Sequence, residues 1–313
     1  AYGSVYGDIS LVDTKNYRIT QSLSNNQTNL SDIQTACFSS DGSFLYFIAF
    51  NGKTNKKMLE KYSISQNQVA QTYPNITINL PKFSADGRYF IGCSYNPSGN
   101  GYSQAYLWDL QENKRIRSFS EAEGLAGAAV SPDGRFVATS NEEKQVHIWD
   151  AATGNLVKML PYQSQYKSAN NYIGVDLTYS PDGKYLFVAP QDTVKNKSES
   201  TVHTSVYDTE RYRRQYDFYG YVKAFSKNGR YFFPYSMESS ENTLPDFINQ
   251  NELLGVLFGQ GSAIDETSSG KAVAHIKLGK GNIGGVSFSP DDRYIAIGSS
   301  TYVSVWGIPY KNS

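Results

Sequence analysis

Residues able to do chemistry are few in this chain of 313 residues, and their spacing does not bring them together. Histidines ligate metals or act as bases, but His147, His203 and His275 lie far apart, and none shares a ligand spacing with a second His, Cys or carboxylate. Each reads as an ordinary strand residue. The recurring Asp-Gly pairs invite a calcium reading, because oxygen-rich loops bind that ion. Each pair carries one carboxylate without the Asp-x-Asp-x-Asp spacing, so turn formation explains it better. Asp109, Asp150 and Asp208 fall at strand ends, where they are expected to accept backbone N–H groups. No Gly-x-Ser-x-Gly elbow or Cys-x-x-Cys pair occurs. The Gly-rich stretches at Asn96 to Ser103 and Gly259 to Ser262 lack the Lys-Ser/Thr or helix of a phosphate site. The expectation is a non-enzyme, with no catalytic, metal or cofactor-binding residues and no cofactor.

The elements that position side chains are set by an internal repeat. It reads FSSDGSF (Phe38 to Phe44), FSADGRY (Phe83 to Tyr89), VSPDGRF (Val130 to Phe136), YSPDGKY (Tyr179 to Tyr185), FSKNGRY (Phe225 to Tyr231) and FSPDDRY (Phe288 to Tyr294). Aligned on Asp41, Asp86, Asp133, Asp182, Asn228 and Asp291, the intervals are 45, 47, 49, 46 and 63 residues. That is one structural unit reused, with a single insertion. An apolar stretch runs into the Asp-Gly hairpin turn. A second strand rich in β-branched and aromatic residues follows, as in RYFIGCSY (Arg88 to Tyr95). A third strand ends in Trp-Asp or a relative, as in VHIWDA (Val146 to Ala151). A polar turn and a fourth strand such as LVKML (Leu156 to Leu160) complete the unit. Four antiparallel strands per repeat make one blade of a β-propeller.

Residues Val130 to Leu160 resemble a WD-repeat blade almost throughout, and Phe83 to Phe119 resemble one closely. Tyr62-Ser63, Tyr207-Asp208, Phe258-Gly259 and Trp306-Gly307 stand where Trp-Asp is expected. The resemblance covers about residues 35 to 308. It implies an all-β fold, a propeller of four-stranded antiparallel blades. The Gly-His pair that opens many WD repeats is absent, which removes the family's buried Asp-His-Ser/Thr-Trp network and leaves blade rigidity to packing. Residues 1–23 match the second, third and fourth strands of a further unit, within a partial N-terminal blade at 1–34. The reading is therefore one domain of seven blades, with the ring closed by pairing the chain ends in one sheet, and six blades as the alternative. Successive repeats fall at 35–80, 81–125, 126–172, 173–220, 221–281 and 282–313. A start in mid-blade without a methionine points to a processed protein or part of a larger one.

Charge restricts the partners. Lys plus Arg number 29 and Asp plus Glu 29, so bulk attraction to nucleic acid or anionic membrane is disfavoured. No apolar run approaches the roughly 20 residues of a membrane span. Cys37 and Cys93 fall on different strands of different blades and are expected to be unpaired thiols. Asn26, Asn29, Asn75 and Asn196 open glycosylation-type tripeptides, which arise readily in an Asn- and Ser-rich chain. The compartment is left open, with a lean to the cytoplasm.

The loops then carry the functional information. Within a blade, the first-to-second and third-to-fourth turns share one end and are short. The irregular loops share the other end, among them residues 51–57, 95–104, 162–172, 191–200 and an insertion at 236–252. Loops on a rigid scaffold are where binding resides. The loops of this end hold Tyr95, Tyr102, Tyr162, Tyr166, Tyr172, Tyr219, Tyr221 and Phe247, with a basic patch at Lys53, Lys56 and Lys57. Tyrosine offers a large contact area for little entropy. These residues are the candidate contacts for a protein or peptide, received by a scaffold or sensor within a larger protein or assembly. The alternative is an enzyme, small-molecule or carbohydrate site in the central channel.

Overall fold

The Ser-x-Asp-Gly turn is built the same way in all six repeats. In the first, the Ser39 hydroxyl donates to Asp41 Oδ1 (2.6 Å) and accepts the Phe44 N–H (3.0 Å), while the Ser43 N–H donates to Asp41 Oδ1 (3.0 Å). The Gly42 N–H closes onto the Ser39 carbonyl at 2.9 Å. Ser84, Ser131, Ser180 and Ser289 repeat these bonds with Asp86, Asp133, Asp182 and Asp291. Ser226 does so with Asn228, whose side-chain oxygen substitutes for the carboxylate. The donors, first the Ser39 hydroxyl and then the Ser43 N–H, hold the Asp41 carboxyl down at about 2.

These turns order an all-β chain. The structure is a computed structural model and describes residues 2–3, 9–13, 18–23, 30–31, 33, 35–53, 55–73, 76, 79–95, 102–162, 174–190, 202–235, 263–276, 283–289, 291–299 and 303–308. Among the described residues its antiparallel strands form six sheets and, repeat by repeat, seven successive groups, because β12 joins two of the groups in one seven-stranded sheet. The first holds β1 (Tyr2–Gly3), β2 (Ile9–Val12) and β3 (Ile19–Leu23), and the second β4 (Leu30–Ser31), β5 (Ala36–Phe38), β6 (Phe44–Asn51), β7 (Lys56–Ser63) and β8 (Gln68–Tyr73). Then come β9 (Asn79–Phe83), β10 (Tyr89–Tyr95) and β11 (Tyr102–Asp109), followed by β12 (Lys114–Val130), which runs on from one group into the next. The fourth group continues with β13 (Phe136–Asn141), β14 (Gln145–Asp150) and β15 (Leu156–Pro161). The fifth is β16 (Val175–Tyr179), β17 (Tyr185–Pro190), β18 (His203–Asp208) and β19 (Arg214–Tyr219), and the sixth β20 (Tyr221–Phe225), β21 (Tyr231–Tyr235), β22 (Ala263–Glu266) and β23 (Ala272–His275). The last is β24 (Ile283–Phe288), β25 (Tyr294–Ser299) and β26 (Val303–Gly307). The chain divides into two compact units, residues 1–120 and 121–313.

The expected second, third and fourth strands of the N-terminal group are β1, β2 and β3. The Asp13 N–H donates to the Arg18 carbonyl at 2.9 Å, the bond that Asp150 makes to Asn155. One expectation is corrected. LLGVLF is not the third strand of the sixth group; β22 takes that place, with Glu266 opposite Tyr231 and Asp265 opposite Phe232. Asp265-Glu266, and not Phe258-Gly259, therefore stands at the Trp-Asp position. The turn that follows decides this. Gly270, at φ 64°, donates to the Glu266 carbonyl (2.8 Å), just as Gly154 does to Asp150. The insertion at 236–252, with Phe247, lies outside the described residues, as do Tyr166 and Tyr172.

Within each unit the core sits between successive sheets, because second strands bury both faces. In β17, Leu186 and Val188 pack toward Ala138, Val146 and Ile148, while Phe187 packs the other way on Val206 and Phe232. The Phe187 ring meets Phe232 edge-on at 5.4 Å. Fourth strands are mostly exposed, as the alternation of β8 shows. The turns stack as well. A Cβ on Gly87, at φ 69°, would lie 2.0 Å from the Phe38 carbonyl oxygen of the preceding blade's first strand. Gly229 approaches Asp182 in the same way. In the last repeat Asp292 holds the glycine place at φ 57°, and its carboxylate accepts Lys227 N–H (2.6 Å) and Asn228 N–H (3.3 Å) from the preceding turn.

Two outcomes follow. Gly42 has the same left-handed backbone as Gly87 but open space around it. Gly42→Ala should cost about 1 kcal/mol, the backbone penalty alone, and Gly87→Ala about 3 kcal/mol or more once overpacking is added. Equal losses in chemical denaturation would contradict the stacking. Asp41 has a depressed folded value, so its contribution is complete above its ordinary 3.8 and is lost as pH falls toward about 2. Asp41→Asn, the residue found at Asn228, should fold normally at neutral pH and flatten the melting profile in that acid window.

Candidate protein-binding surface

At the turn end of the blades the polar groups are already engaged. Asp109 Oδ1 accepts the Gln111 and Glu112 N–H groups at 2.9 Å, and Arg88 pairs with Oδ2 at 2.9 Å. Burial pushes that carboxyl up, but the Glu112 N–H and Arg88 outweigh it and hold it below the ordinary carboxylate value. Asp150 accepts the Thr153 N–H (2.7 Å) and hydroxyl (2.8 Å), and Asp208 accepts Arg211 N–H (2.7 Å) and Arg213 N–H (3.1 Å). These carboxylates cap turns, as expected from their place at strand ends. Arg135 and Arg230 lie over the rings of Phe136 and Tyr231 at 5.4 and 5.2 Å.

The expectation that blade rigidity rests on packing is corrected in the fourth blade, where a buried polar network exists. The Trp149 indole N–H donates to Thr139 Oγ1 at 2.7 Å, and the Thr139 hydroxyl donates to Glu121 Oε1. His147 Nδ1 lies 2.7 Å from Glu121 Oε2, close but off the line of a straight hydrogen bond. Its ring stands edge-on to Trp149 at 5.7 Å, and its Nε2 is 3.2 Å from Gln145 Oε1. The histidine comes from the third strand and the acid from β12, so the missing Gly-His pair did not reveal them. The only sequence signal was His147 two residues before Trp149. The third blade lacks this network, since the Trp108 indole nitrogen has no partner among the described residues.

The opposite end of the blades holds the candidate contacts. Lys53, Lys56 and Lys57 are exposed around the β6–β7 turn, where Asn51 Oδ1 accepts the Lys53 N–H at 3.0 Å. Tyr95 ends β10 and Tyr102 opens β11 opposite it, so both belong to strands and not to the loop itself. Tyr219, 38 % exposed at the end of β19, pairs across the hairpin with His203, the rings 5.4 Å apart. Tyr162 is a correction. It is 6 % exposed, its backbone N–H bonds the Lys144 carbonyl (2.9 Å) and its hydroxyl bonds the Asn141 carbonyl (3.0 Å). Those bonds draw the ring into the core beside Leu160 and Val175 and remove it from the surface.

Tyr221 opens β20, opposite Tyr235 at the end of β21, with ring centroids 5.4 Å apart at 72°. Between them lies a cation that sequence reasoning missed. Lys223 Nζ is 6.0 Å from the Tyr221 centroid and 5.3 Å from that of Tyr235. Burial pushes the lysine below its ordinary value and the Tyr221 phenol up to about 12, with Tyr235 and then Asp176 of β16 adding to the latter. This group of polar aromatics and one cation sits where first strands begin and second strands end.

Comparison with known proteins agrees with the blade architecture. A family model described as WD domain, G-beta repeat matches residues 113–150 and 270–307. Each match starts just ahead of a fourth strand and ends on the Trp-Asp or Trp-Gly pair, at Asp150 and Gly307. The chain is an all-β protein carrying WD repeats in propeller-type blades. Among curated proteins it is similar to Telomerase Cajal body protein 1 of Bos taurus, with 35% identity over 77 residues, which make up 23% of this chain and 13% of that protein. The aligned stretch thus spans well under two thirds of the relative. No helix among the described residues is long and apolar enough to cross a membrane.

Cys37 and Cys93 are both free, and burial raises their thiols to about 11 and about 12. For Cys37 the Asp86 charge adds to this. Native protein should therefore alkylate slowly at pH 8 and yield two thiols at once in denaturant. Rapid native labelling would contradict the burial. Thr139→Val should cost about 2 kcal/mol, because it strands the Trp149 N–H and removes a donor from buried Glu121. In a cycle with Trp149→Phe the double variant should lose much less than the sum, and strict additivity would show that the network is not coupled.

Proposed function

We propose that this chain is a protein- or peptide-binding WD-repeat scaffold or sensor acting within a larger assembly, and that its partner docks on the loop end of the blades. The reading takes the chain as one propeller domain of seven blades. WD-repeat domains serve in general as protein-interaction scaffolds, and this chain carries such repeats. The observation that carries the choice of surface is the contrast between the two ends. Within residues 121–313 the turn end spends its Ser, Asp and backbone groups on itself, whereas the loop end presents Tyr219 and Tyr221; within residues 1–120, separately, the loop end presents the exposed Lys53, Lys56 and Lys57. Rigid aromatic side chains of this kind are the usual anchors of protein interfaces.

Panning of an acetylated decapeptide library on the purified protein tests the choice of surface. Tyr219→Ala should weaken the selected peptides by about 1–2 kcal/mol, as interface tyrosines do on truncation. Arg135→Ala at the turn end should leave their binding unchanged. Loss with the turn-end variant and none with Tyr219→Ala would overturn the assignment.

A further inference from the structure

Lys223 is placed by a β-bulge. Val222 faces Pro234 and Ala224 faces Phe233, so Lys223 is the extra residue between them. Bulges re-aim a side chain, and the same device recurs in two other first strands, β12 and β24. There the extra residue is Ala126, between Leu125 and Gly127, or Gly284, between Ile283 and Gly285. Neither carries a charge, so among these bulges the sixth blade's alone presents a cation. Among the described residues the strands beside it carry no carboxylate, and Asp176 of β16 is the acid whose charge acts on Tyr221. β20 reads YVKAF, β21 reads YFFPY, and β24, which lies beside β20, reads IGGVSF. Lys223 is half-buried and makes no ion pair among the described residues, its contacts being the faces of Tyr221 and Tyr235. An ammonium taken partly out of water without an anion is a costly arrangement that ring faces offset only in part.

We propose that Lys223, framed by Tyr221 and Tyr235, receives the side-chain carboxylate of an acidic residue in a bound peptide. The inference rests on the loop-end peptide-binding reading and names the chemistry of its anchor. The ammonium supplies charge and donors, and the Tyr221 phenol keeps its proton to add another. A singly charged carboxylate fits better than a phosphate group. The cluster holds one lysine and no arginine fork, and the Asp176 charge that acts on Tyr221 opposes a dianion more than a monoanion. The lowered value of the lysine agrees with a charge short of its partner.

The test uses paired decapeptides on the full chain, each with one central glutamate and a twin carrying glutamine, and fluorescence anisotropy as the readout. The native protein should favour the glutamate member by on the order of tenfold or more, the usual worth of a charged hydrogen bond. Lys223→Met should erase that preference while the glutamine peptides bind as before. Lys223→Arg should keep part of it, and circular dichroism should show both variants folded. Peptides that bind without any glutamate preference would overturn the inference and leave the loop-end reading standing. Inorganic phosphate that displaces the acidic peptide at equal concentration would also overturn it, since the site would then be a phosphate site. Failure of all peptides to bind would instead count against the reading on which it rests.

Discussion

The rest of the structure depends on one residue held in a left-handed conformation at the end of each first strand. With φ near 70°, the glycine of Ser-x-Asp-Gly lets the chain reverse within a few residues, and the serine hydroxyl ties the start of the second strand to the end of the first. Only glycine takes that conformation without strain, and only glycine leaves room for the neighbouring blade's backbone. At Gly87 both conditions apply together. The last repeat departs from the rule in an informative way. Asp292 accepts the strained backbone, and its carboxylate then binds two backbone N–H groups of the turn before it, so a lost close packing is replaced by charge-assisted hydrogen bonds.

Once the turns are set, packing between sheets follows from alternation. Side chains of a second strand point alternately to the two neighbouring sheets, which is why β17 joins two separate clusters. Strength in one place need not be repeated in the next. The fourth blade adds the network of Trp149, Thr139, Glu121 and His147, whereas the fifth meets its neighbour through Phe187, Phe225 and Phe232. A buried network of this kind is specific because each member would be costly if stranded, while an aromatic cluster tolerates variation. The two devices hold successive blades of the same protein.

This division of labour leaves the two ends of a blade chemically unlike. At the turn end most of the described donors and acceptors engage one another, Arg88 with Asp109 among them, Thr267 Oγ1 being an exception. The loop end differs. Tyr221 and Tyr235 bracket a half-buried cation, and Tyr219 stands partly in solvent. A scaffold whose rigidity is generated at one end can carry binding groups at the other without loss of order.

Much of this could be read from the residues in order. The repeat interval, the hairpin turns, the Trp-Asp turn caps and the two unpaired thiols all rest on contacts between residues close in sequence or on strand assignment, and such contacts are written in local residue types. Tyr219 and Tyr221 were expected in loops, and the structure places them at strand ends. What only the tertiary structure decided depends on partners distant in sequence. Glu121 meets Thr139 across 18 residues, Tyr162 is drawn inward by the Asn141 carbonyl, and β22 was chosen over LLGVLF by the turn that closes after it. Lys223 is turned between two tyrosines by a bulge that its own residue type does not announce. Local turns are determined by a few adjacent residues, but the direction a side chain takes depends on register, and register is settled only when whole sheets pack together.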